Sequence, residues 1–322
     1  MKYSISLFPL ERWSHVDEIV GAVQAAERLG FAGVGLAEHL FVPSGDSGGD
    51  HPSALYPDNF ALGAVLARET SVLRIMLSAL VVPYRHPVVA AKGVATLDWI
   101  SNGRLDVTTG VGWLREEFDV LGVPVGERGA RTDDYLRAMV ALWTQEEPAY
   151  QGQFVSFKEI RFEPKCVQRP HVPLLIGGSG EAALRRVIEF GSGWAPMLGS
   201  PEIIDTGIRR LGDLCADVGR DTGDLRVFTR IPVLGGNDAV ARAADHQGNR
   251  PAQSAPQSRS LAETLETVEV YRAAGVSELG LSFPWRTGAE YLERLEWFAS
   301  EVMPGTTEPV GRAEDQACEP QS

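Results

Sequence analysis

The sequence predicts an α/β fold: a closed (β/α)8 barrel, or TIM barrel, with an insertion after the fourth strand. Short β-like runs alternate eight times with longer amphipathic segments, which is typical of βα units around a parallel sheet. No GxGxxG motif follows the first strand, as a doubly wound dinucleotide-binding sheet would require. The length of 322 residues also suits one barrel domain, which we expect to span residues 1–303.

The first half of the chain supplies four βα units and the insertion. Strands are predicted at 3–8, 33–37, 73–81 and 104–109 from their apolar or alternating patterns. Helix 16–29 has apolar residues at helical spacing and ends at Gly30, helix 58–68 follows strand two, and helix 87–100 begins with Pro87. Helical signals at 116–121 and 133–144, then the alternating segment YQGQFVSFKEIRFEP (150–164), predict a connection that carries a small hairpin.

The second half resumes the main pattern. Strands are predicted at 174–176, 193–195, 225–233 and 278–283, and helices at 181–190, 202–218, 261–274 and 290–302. Segment 235–260 is rich in Gly, Asn, Ala, Gln, Ser and Pro, which predicts a mobile loop. Segment 304–322 has almost no large apolar residues, so we expect a disordered tail.

Composition excludes several classes of protein. A net charge of −13 without a dense basic run argues against nucleic-acid binding. The three cysteines are widely spaced and lack a CxxC pair, which argues against a disulfide framework and a zinc site, and favours a reducing, cytoplasmic location. The sequence shows neither a signal-peptide pattern nor a run of about 18 apolar residues, so we expect no membrane span.

The active site of such a barrel forms at the C-terminal ends of its strands, here called the mouth. The residues predicted there are aromatic and glycine-rich with few charges, which suits a flat conjugated ligand. The segment Gly177-Gly178-Ser179-Gly180 precedes a helix and is either an anion site or a plain turn. Gly110 and Gly112 end strand four and either admit a planar ring against the backbone or mark a bulge.

His39 follows strand two, where a general acid or base would act, although a hydrogen-bonded structural histidine fits the same position. Strand alternation points the preceding Glu38 to the opposite face, so we expect it to bind backbone or orient neighbours. Trp113 and Trp194 either stack on a ligand or fill the rim and core.

Taken in order, the passages LSALVVPYRHP, TTGVGWLREEF and LLIGGSGEAALRRV make the chain resemble the luciferase-like monooxygenase superfamily. Within it, the chain is most similar to the branch of oxidoreductases that depend on the deazaflavin coenzyme F-420, over about residues 3 to 300. The resemblance implies a flavin or deazaflavin across the mouth, with its phosphate toward Gly177 and Gly178. It also implies that His39 is the active-site histidine.

The same resemblance assigns further residues. Ser78 and Ala79 match a bulged segment, often with a non-prolyl cis peptide, that lies behind the ring. The sugar-phosphate branch has an acidic glutamate where Trp113 stands and a tryptophan where Pro43 stands, which argues against a sugar-phosphate substrate. The pocket aromatics suggest instead a more apolar substrate; we expect these to be Trp13, Phe41, Trp113 and Trp285.

The expected reaction is hydride transfer between F-420 and an organic substrate, with His39 handling the accompanying proton. Two alternatives remain open: an FMN-dependent monooxygenase that uses oxygen, and a flavin- or deazaflavin-binding protein without turnover. The resemblance further implies a homodimer.

Overall fold

The computed structural model describes residues 1–44, 55–223, 225–233 and 260–306. Its strands run in chain order as β1 (Lys2–Ser6), β2 (Gly33–Leu36), β3 (Arg74–Val81), β4 (Leu105–Gly110), β5 (Tyr150–Gln151), β6 (Ser156–Phe157), β7 (Leu174–Gly177), β8 (Gly193–Ala195), β9 (Arg226–Pro232) and β10 (Glu278–Ser282). Eight of them close a parallel barrel in the order β1-β10-β9-β8-β7-β4-β3-β2. The predicted (β/α)8 barrel is confirmed.

Helices cover the outside of this barrel. They are α1 (Val16–Arg28), α2 (Asn59–Glu69), α3 (Pro87–Ile100), α4 (Arg115–Leu121), α5 (Arg128–Thr144), α6 (Glu181–Phe190), α7 (Pro201–Val218), α8 (Leu261–Ala273), α9 (Gly288–Trp297) and α10 (Met303–Thr306). Short polar side chains start several of them: Ser200 caps α7, Ser260 forms a capping box with Glu263 on α8, and Thr287 caps α9.

Two predicted helix boundaries are corrected. Helix α5 begins at Arg128, five residues before the predicted start, because the polar first turn lacks an apolar marker. The helix predicted at 290–302 is α9 followed by a π-helical turn at Phe298–Val302, which leads into α10. Residues 304–306 are therefore helical rather than part of a disordered tail. The rest of the predicted tail, from residue 307, and the predicted mobile loop up to residue 259 lie outside the described residues.

The predicted hairpin in the insertion is confirmed, since β5 and β6 pair antiparallel. The buried side chain of Asp134 on α5 holds it. Its carboxylate accepts hydrogen bonds from the Tyr150 hydroxyl at 2.8 Å, from Gln153 N at 3.0 Å and from Phe154 N at 2.9 Å. The insertion is thereby fixed to the barrel wall.

An ionic network closes the N-terminal end of the barrel. Asp106 on β4 is buried and receives hydrogen bonds from Arg74 on β3 at 2.6 Å and from Arg226 on β9 at 2.8 Å. Arg226 also reaches Glu278 on β10 at 2.8 Å. Burial raises the pKa of Asp106, but the hydrogen bonds from the two arginines outweigh it, so the pKa lies below its usual value.

Above this network, a small apolar layer fills the barrel interior. It consists of Met76 on β3, Leu175 on β7, Ala195 on β8 and Phe228 on β9. The much larger cluster between strands and helices forms the main core. The ionic network and this apolar layer together fill the interior below the mouth. Among the described residues, no helix is long and apolar enough to cross a membrane.

Candidate active site

The centre of the mouth is a hydrogen-bonded pair formed by His39 and Glu117, here called the His39–Glu117 pair. His39 lies three residues beyond the end of β2, and its Nδ1 is 3.1 Å from Glu117 Oε2 on α4. The Leu40 N–H donates to Glu117 Oε1 at 2.5 Å, and the Tyr84 hydroxyl donates to Oε2. Glu117 therefore fixes both the imidazole and the backbone that carries it.

The ionised Glu117 carboxylate fixes which ring nitrogen of His39 carries the proton. Glu117 is fully buried, which raises its pKa, but hydrogen bonds from His39, Tyr84 and the Leu40 N–H outweigh burial and lower it below its usual value. An ionised carboxylate only accepts hydrogen bonds, so Nδ1 of His39 must carry a proton. With the proton on Nδ1, the neutral imidazole has its acceptor lone pair on Nε2.

Aromatic rings surround the imidazole. Tyr56 packs edge-to-face against His39 at a centroid distance of 4.8 Å, and Trp113 does so at 5.7 Å. Burial and two nearby carboxylates raise the pKa of Tyr56 to about 12, so its phenol stays protonated at neutral pH. Trp113 is 45% exposed, and Phe41 is half-buried two residues after His39. Trp113 thus lies beside the predicted catalytic residue, with an indole that solvent reaches.

Glu38 faces away from the pair, as strand alternation predicts. It accepts a hydrogen bond from Val81 N at 2.5 Å and pairs with Arg85. Arg85 also pairs with Asp58 at 3.0 Å, and Asp58 caps α2 by accepting hydrogen bonds from two backbone N–H groups at 3.0 Å. Glu38 therefore links the ends of β2 and β3 to the start of α2 and has no part in the proton site.

The segment predicted to lie behind the ring has the expected backbone. The Ser78–Ala79 peptide is cis, and the pairing of β3 with β4 shifts at this point. Ser78 pairs with Thr108 on β4, and Gly110 lies against Ala79. The hydroxyls of Ser78 and Thr108 are both buried, and neither finds a hydrogen-bond partner among the described residues. Buried hydroxyls without a partner in the protein can be satisfied by a ligand or by water.

The glycine segment 177–180 lies between β7 and α6, as predicted. Trp194 on β8 donates from Nε1 to the Gly178 carbonyl at 2.6 Å. Its ring is fully buried on the outer side of the sheet, against Gly207 of α7. The expectation that Trp194 stacks on a ligand is therefore wrong, because no ring face reaches the mouth. Its effect on a bound group would be indirect, through Gly178.

The start of α6 has no side-chain cap. Gly180 occupies the N-cap position without a side-chain hydrogen bond. Glu181 in the first turn pairs with Arg185 at 3.0 Å and with Arg210 at 2.8 Å. Two guanidinium groups therefore lie next to this helix N-terminus, which adds to its preference for an anion.

Two of the predicted glycines are required by the fold itself. Gly112 has φ +78, and a Cβ there would lie 2.6 Å from the Phe118 ring and 2.9 Å from Val81. A Cβ on Gly177 would lie 2.6 Å from the Thr109 carbonyl oxygen on the adjacent strand. These glycines are explained without a ligand, and their contact with a cofactor stays a prediction.

Trp13 and Trp285 form a packed cluster below the surface of the mouth. Their rings are 4.6 Å apart, and both contact Tyr291, at 5.2 and 5.3 Å. The indole of Trp13 donates to the Leu7 carbonyl at 2.9 Å, and that of Trp285 to the Phe8 carbonyl at 3.1 Å. Both side chains are buried and satisfied within the fold. The structure does not bring them to His39, and their contact with substrate stays a prediction.

Sequence reasoning missed four residues of the mouth: Glu117, Tyr84, Tyr56 and Arg230. Glu117 lies in the predicted helical segment 116–121, but its contact with His39 spans 78 positions, so no local pattern reveals it. Arg230 on β9 has the appearance of a solvent-facing strand residue in the sequence. A search for charged residues near the C-terminal end of each predicted strand would have found Arg230.

Comparisons with known proteins show what this chain is similar to. A family model described as luciferase-like monooxygenase matches residues 9–278. The protein Rv0953c of Mycobacterium tuberculosis is 36% identical over 259 residues, which is 76% of this chain and 88% of that protein. An FMNH2-dependent dimethylsulfone monooxygenase of Pseudomonas putida is 32% identical over 163 residues, which is 50% of this chain and 43% of that enzyme.

Solved structures show the same fold at lower sequence identity. The monooxygenase RslO1 from Streptomyces bottropensis aligns with a TM-score of 0.79 at 22% identity, covering 95% of this chain and all of that one. An F420-dependent secondary alcohol dehydrogenase, solved with an F420–acetone adduct, aligns with a TM-score of 0.76 at 18% identity, covering 96% of this chain and all of that one.

Proposed function

This chain belongs to the luciferase-like monooxygenase family, and from that premise we propose that it transfers a hydride between coenzyme F-420 and a small, apolar organic substrate. The observation that carries the proposal is the His39–Glu117 pair at the mouth, formed between the chain just after β2 and helix α4. A histidine held by a buried carboxylate supplies the proton chemistry that accompanies reduction of a carbonyl, imine or enone.

The residues present fit a flat, phosphorylated ring system. Ala79 and Gly110 would present a surface of small side chains and backbone to the ring, and the Ser78 hydroxyl would gain the partner it lacks in the protein. Segment 177–180 and the start of α6 would hold the phosphate through backbone N–H groups. When bound, the deazaflavin supplies or accepts the hydride.

The protein's own residues handle the proton and the environment. Glu117 keeps the proton on Nδ1 of His39 and stabilises the imidazolium when Nε2 takes up a second proton. Tyr84 and the Leu40 N–H hold Glu117 in place. Trp113 and Phe41 would cover an apolar substrate beside the imidazole and exclude water from it.

A second candidate is an FMN-dependent monooxygenase, which the similarity to the dimethylsulfone monooxygenase favours. The two candidates differ in cofactor, so titration of the purified protein with oxidised F-420 and with FMN separates them by fluorescence quenching. Binding of F-420 in preference to FMN is the expected result. Tight binding of FMN without binding of F-420 would overturn the choice of cofactor.

The role of His39 is tested by substitution. His39→Ala and His39→Asn should lower turnover about 10²–10⁴-fold with a panel of carbonyl, imine and enone substrates, because general acid–base catalysis contributes that much. His15→Asn is the matched control, since His15 is exposed and its side chain makes no capping hydrogen bond at the start of α1. Unchanged turnover in the His39 variants, with cofactor binding intact, would remove the proton-handling role.

A further inference from the structure

Arg230 lies inside the barrel with its charge uncompensated. Strand alternation places it on the same side as Phe228, whose ring belongs to the interior apolar layer, and one step nearer the mouth. The residue as a whole is half-buried, but its Nε is buried without a hydrogen-bond partner, and among the described residues Arg230 forms neither a hydrogen bond nor an ion pair. A buried guanidinium nitrogen without a partner is uncommon in proteins.

The side chain extends across the barrel interior. A Cβ placed on Gly35 of β2 would lie 3.5 Å from Arg230 Nη2 and 3.8 Å from the Ser78 Cβ. Strands β9 and β2 are separated by β10 and β1, so the guanidinium crosses the interior rather than following its own wall. It ends close to Ser78, which is predicted to lie behind the bound ring.

Two further polar groups face the same layer. Ser78 and Thr108 pair across β3 and β4, and their buried hydroxyls are the other unpartnered groups at this level of the barrel. The positive charge of Arg230 also acts on Tyr56, where it opposes the rise in the pKa of the phenol. Tyr56 contacts His39, so the charge belongs to the same mouth as the His39–Glu117 pair.

We propose that Arg230, together with the Ser78 and Thr108 hydroxyls, forms an oxyanion site at the floor of the mouth, which binds a ligand oxygen carrying negative charge. Charge-assisted hydrogen bonds from a guanidinium to such an oxygen are among the strongest available to a protein. The identity of the ligand rests on the proposed function. One source is a ring carbonyl oxygen that gains charge when the bound cofactor is reduced, and the other is a carboxylate or enolate of the substrate.

Stability without ligand is the first test, since it depends on no cofactor. Arg230→Met removes the charge and keeps much of the side-chain volume, so the ligand-free variant should unfold at the same urea concentration as the wild type or at a higher one. The control Arg137→Met removes one exposed positive charge, from an ion pair with Glu189 on the outer surface. A clear loss of ligand-free stability in Arg230→Met alone would make Arg230 structural and overturn the proposal.

Ligand binding then identifies the source of the oxygen. If the site binds the cofactor, Arg230→Met should weaken binding of the reduced cofactor at least tenfold more than binding of the oxidised cofactor. A tenfold difference lowers the two-electron midpoint potential of the bound cofactor by about 30 mV. If it binds substrate, the potential should stay unchanged while the affinity of cofactor-loaded protein for benzoate, the probe carboxylate, falls at least tenfold. Arg230→Lys, which keeps the charge, should retain part of either effect.

An unchanged potential together with unchanged benzoate affinity in Arg230→Met would overturn the oxyanion site. Failure of the proposed function is a separate result, because it would appear as wild-type protein that binds neither F-420 nor FMN. In that case benzoate affinity of the cofactor-free protein, compared between the wild type and Arg230→Met, still decides the role of Arg230.

Discussion

Replacing Glu117 with glutamine tests how the mouth controls its histidine. The carboxylate accepts hydrogen bonds from three donors: His39 Nδ1, the Leu40 N–H and the Tyr84 hydroxyl. Glutamine keeps one oxygen, which can still accept from Leu40, but it places an amide N–H₂ where the other two donors point. The imidazole then has to present Nδ1 as an acceptor and carry its proton on Nε2, so Nε2 no longer has a lone pair with which to accept a proton.

The magnitude follows from the lost contact. A hydrogen bond to a charged group contributes about 1.5–3 kcal/mol, and about 1.4 kcal/mol corresponds to a tenfold change in rate. Glu117→Gln should therefore lower turnover about 10–10²-fold. One buried donor left without an acceptor should also lower the free energy of unfolding by about 1–3 kcal/mol. The predicted loss of activity is smaller than for His39→Ala, because the imidazole is still present.

Nitrogen-15 NMR of the imidazole rings provides an assay that requires no substrate, since it reports which ring nitrogen carries the proton. We expect the His39 proton on Nδ1 in the wild type and on Nε2 in Glu117→Gln. Glu116→Gln is the matched control, because it makes the same chemical change one position earlier on α4. The double variant His39→Ala/Glu117→Gln should be no slower than His39→Ala. An unchanged tautomer, or losses of activity that multiply in the double variant, would refute the reasoning.

Three further predictions concern the fold around the site. Asp106→Asn should lower the free energy of unfolding by about 3–5 kcal/mol at pH 7. Because the fold lowers the pKa of Asp106, the difference in stability between the variant and the wild type should persist above about pH 4 and shrink only below the usual pKa of about 3.9. Urea denaturation at several pH values measures this difference. A difference that is lost already at pH 6 would contradict the prediction. Gly112→Ala should lower the free energy of unfolding by at least about 1–3 kcal/mol, because the new Cβ meets the Phe118 ring. Gly126→Ala is the control in the same measurement, because a Cβ at Gly126 meets open space. Trp194→Phe should weaken cofactor binding by releasing the Gly178 carbonyl while the barrel stays folded, which circular dichroism and titration check together; unchanged affinity would remove its positioning role.

The architecture was predictable because its signals are local. Each strand is a short apolar or alternating run, most helices have apolar residues at helical spacing and several have a cap, and the count of eight pairs predicts closure. The alternating segment 150–164 also revealed the hairpin. Helix ends were less certain, and the π-helical turn at Phe298–Val302 has no local marker, since the sequence there continues a helical pattern.

The site was only partly predictable because its contacts join distant positions. The location of His39 follows from its place after a strand, but its partner Glu117 lies 78 residues away and is chosen by the packing of α4. For Trp194, the local pattern itself is too short to predict which way the side chain points. Its strand is three residues long and buried on both faces, so alternation cannot tell inside from outside, and only the structure places the ring against Gly207.

The imidazole is positioned by a part of the chain that is remote in sequence. Leu40 and His39 are held by Glu117 on α4, and Glu117 is held in turn by the Tyr84 hydroxyl. The aromatic rim beside the imidazole, such as Trp113, belongs to neither of these hydrogen-bonded contacts with Glu117. Substrate preference can therefore diversify through the rim, by evolution or by design, as long as Glu117 and Tyr84 keep the proton-handling group in place.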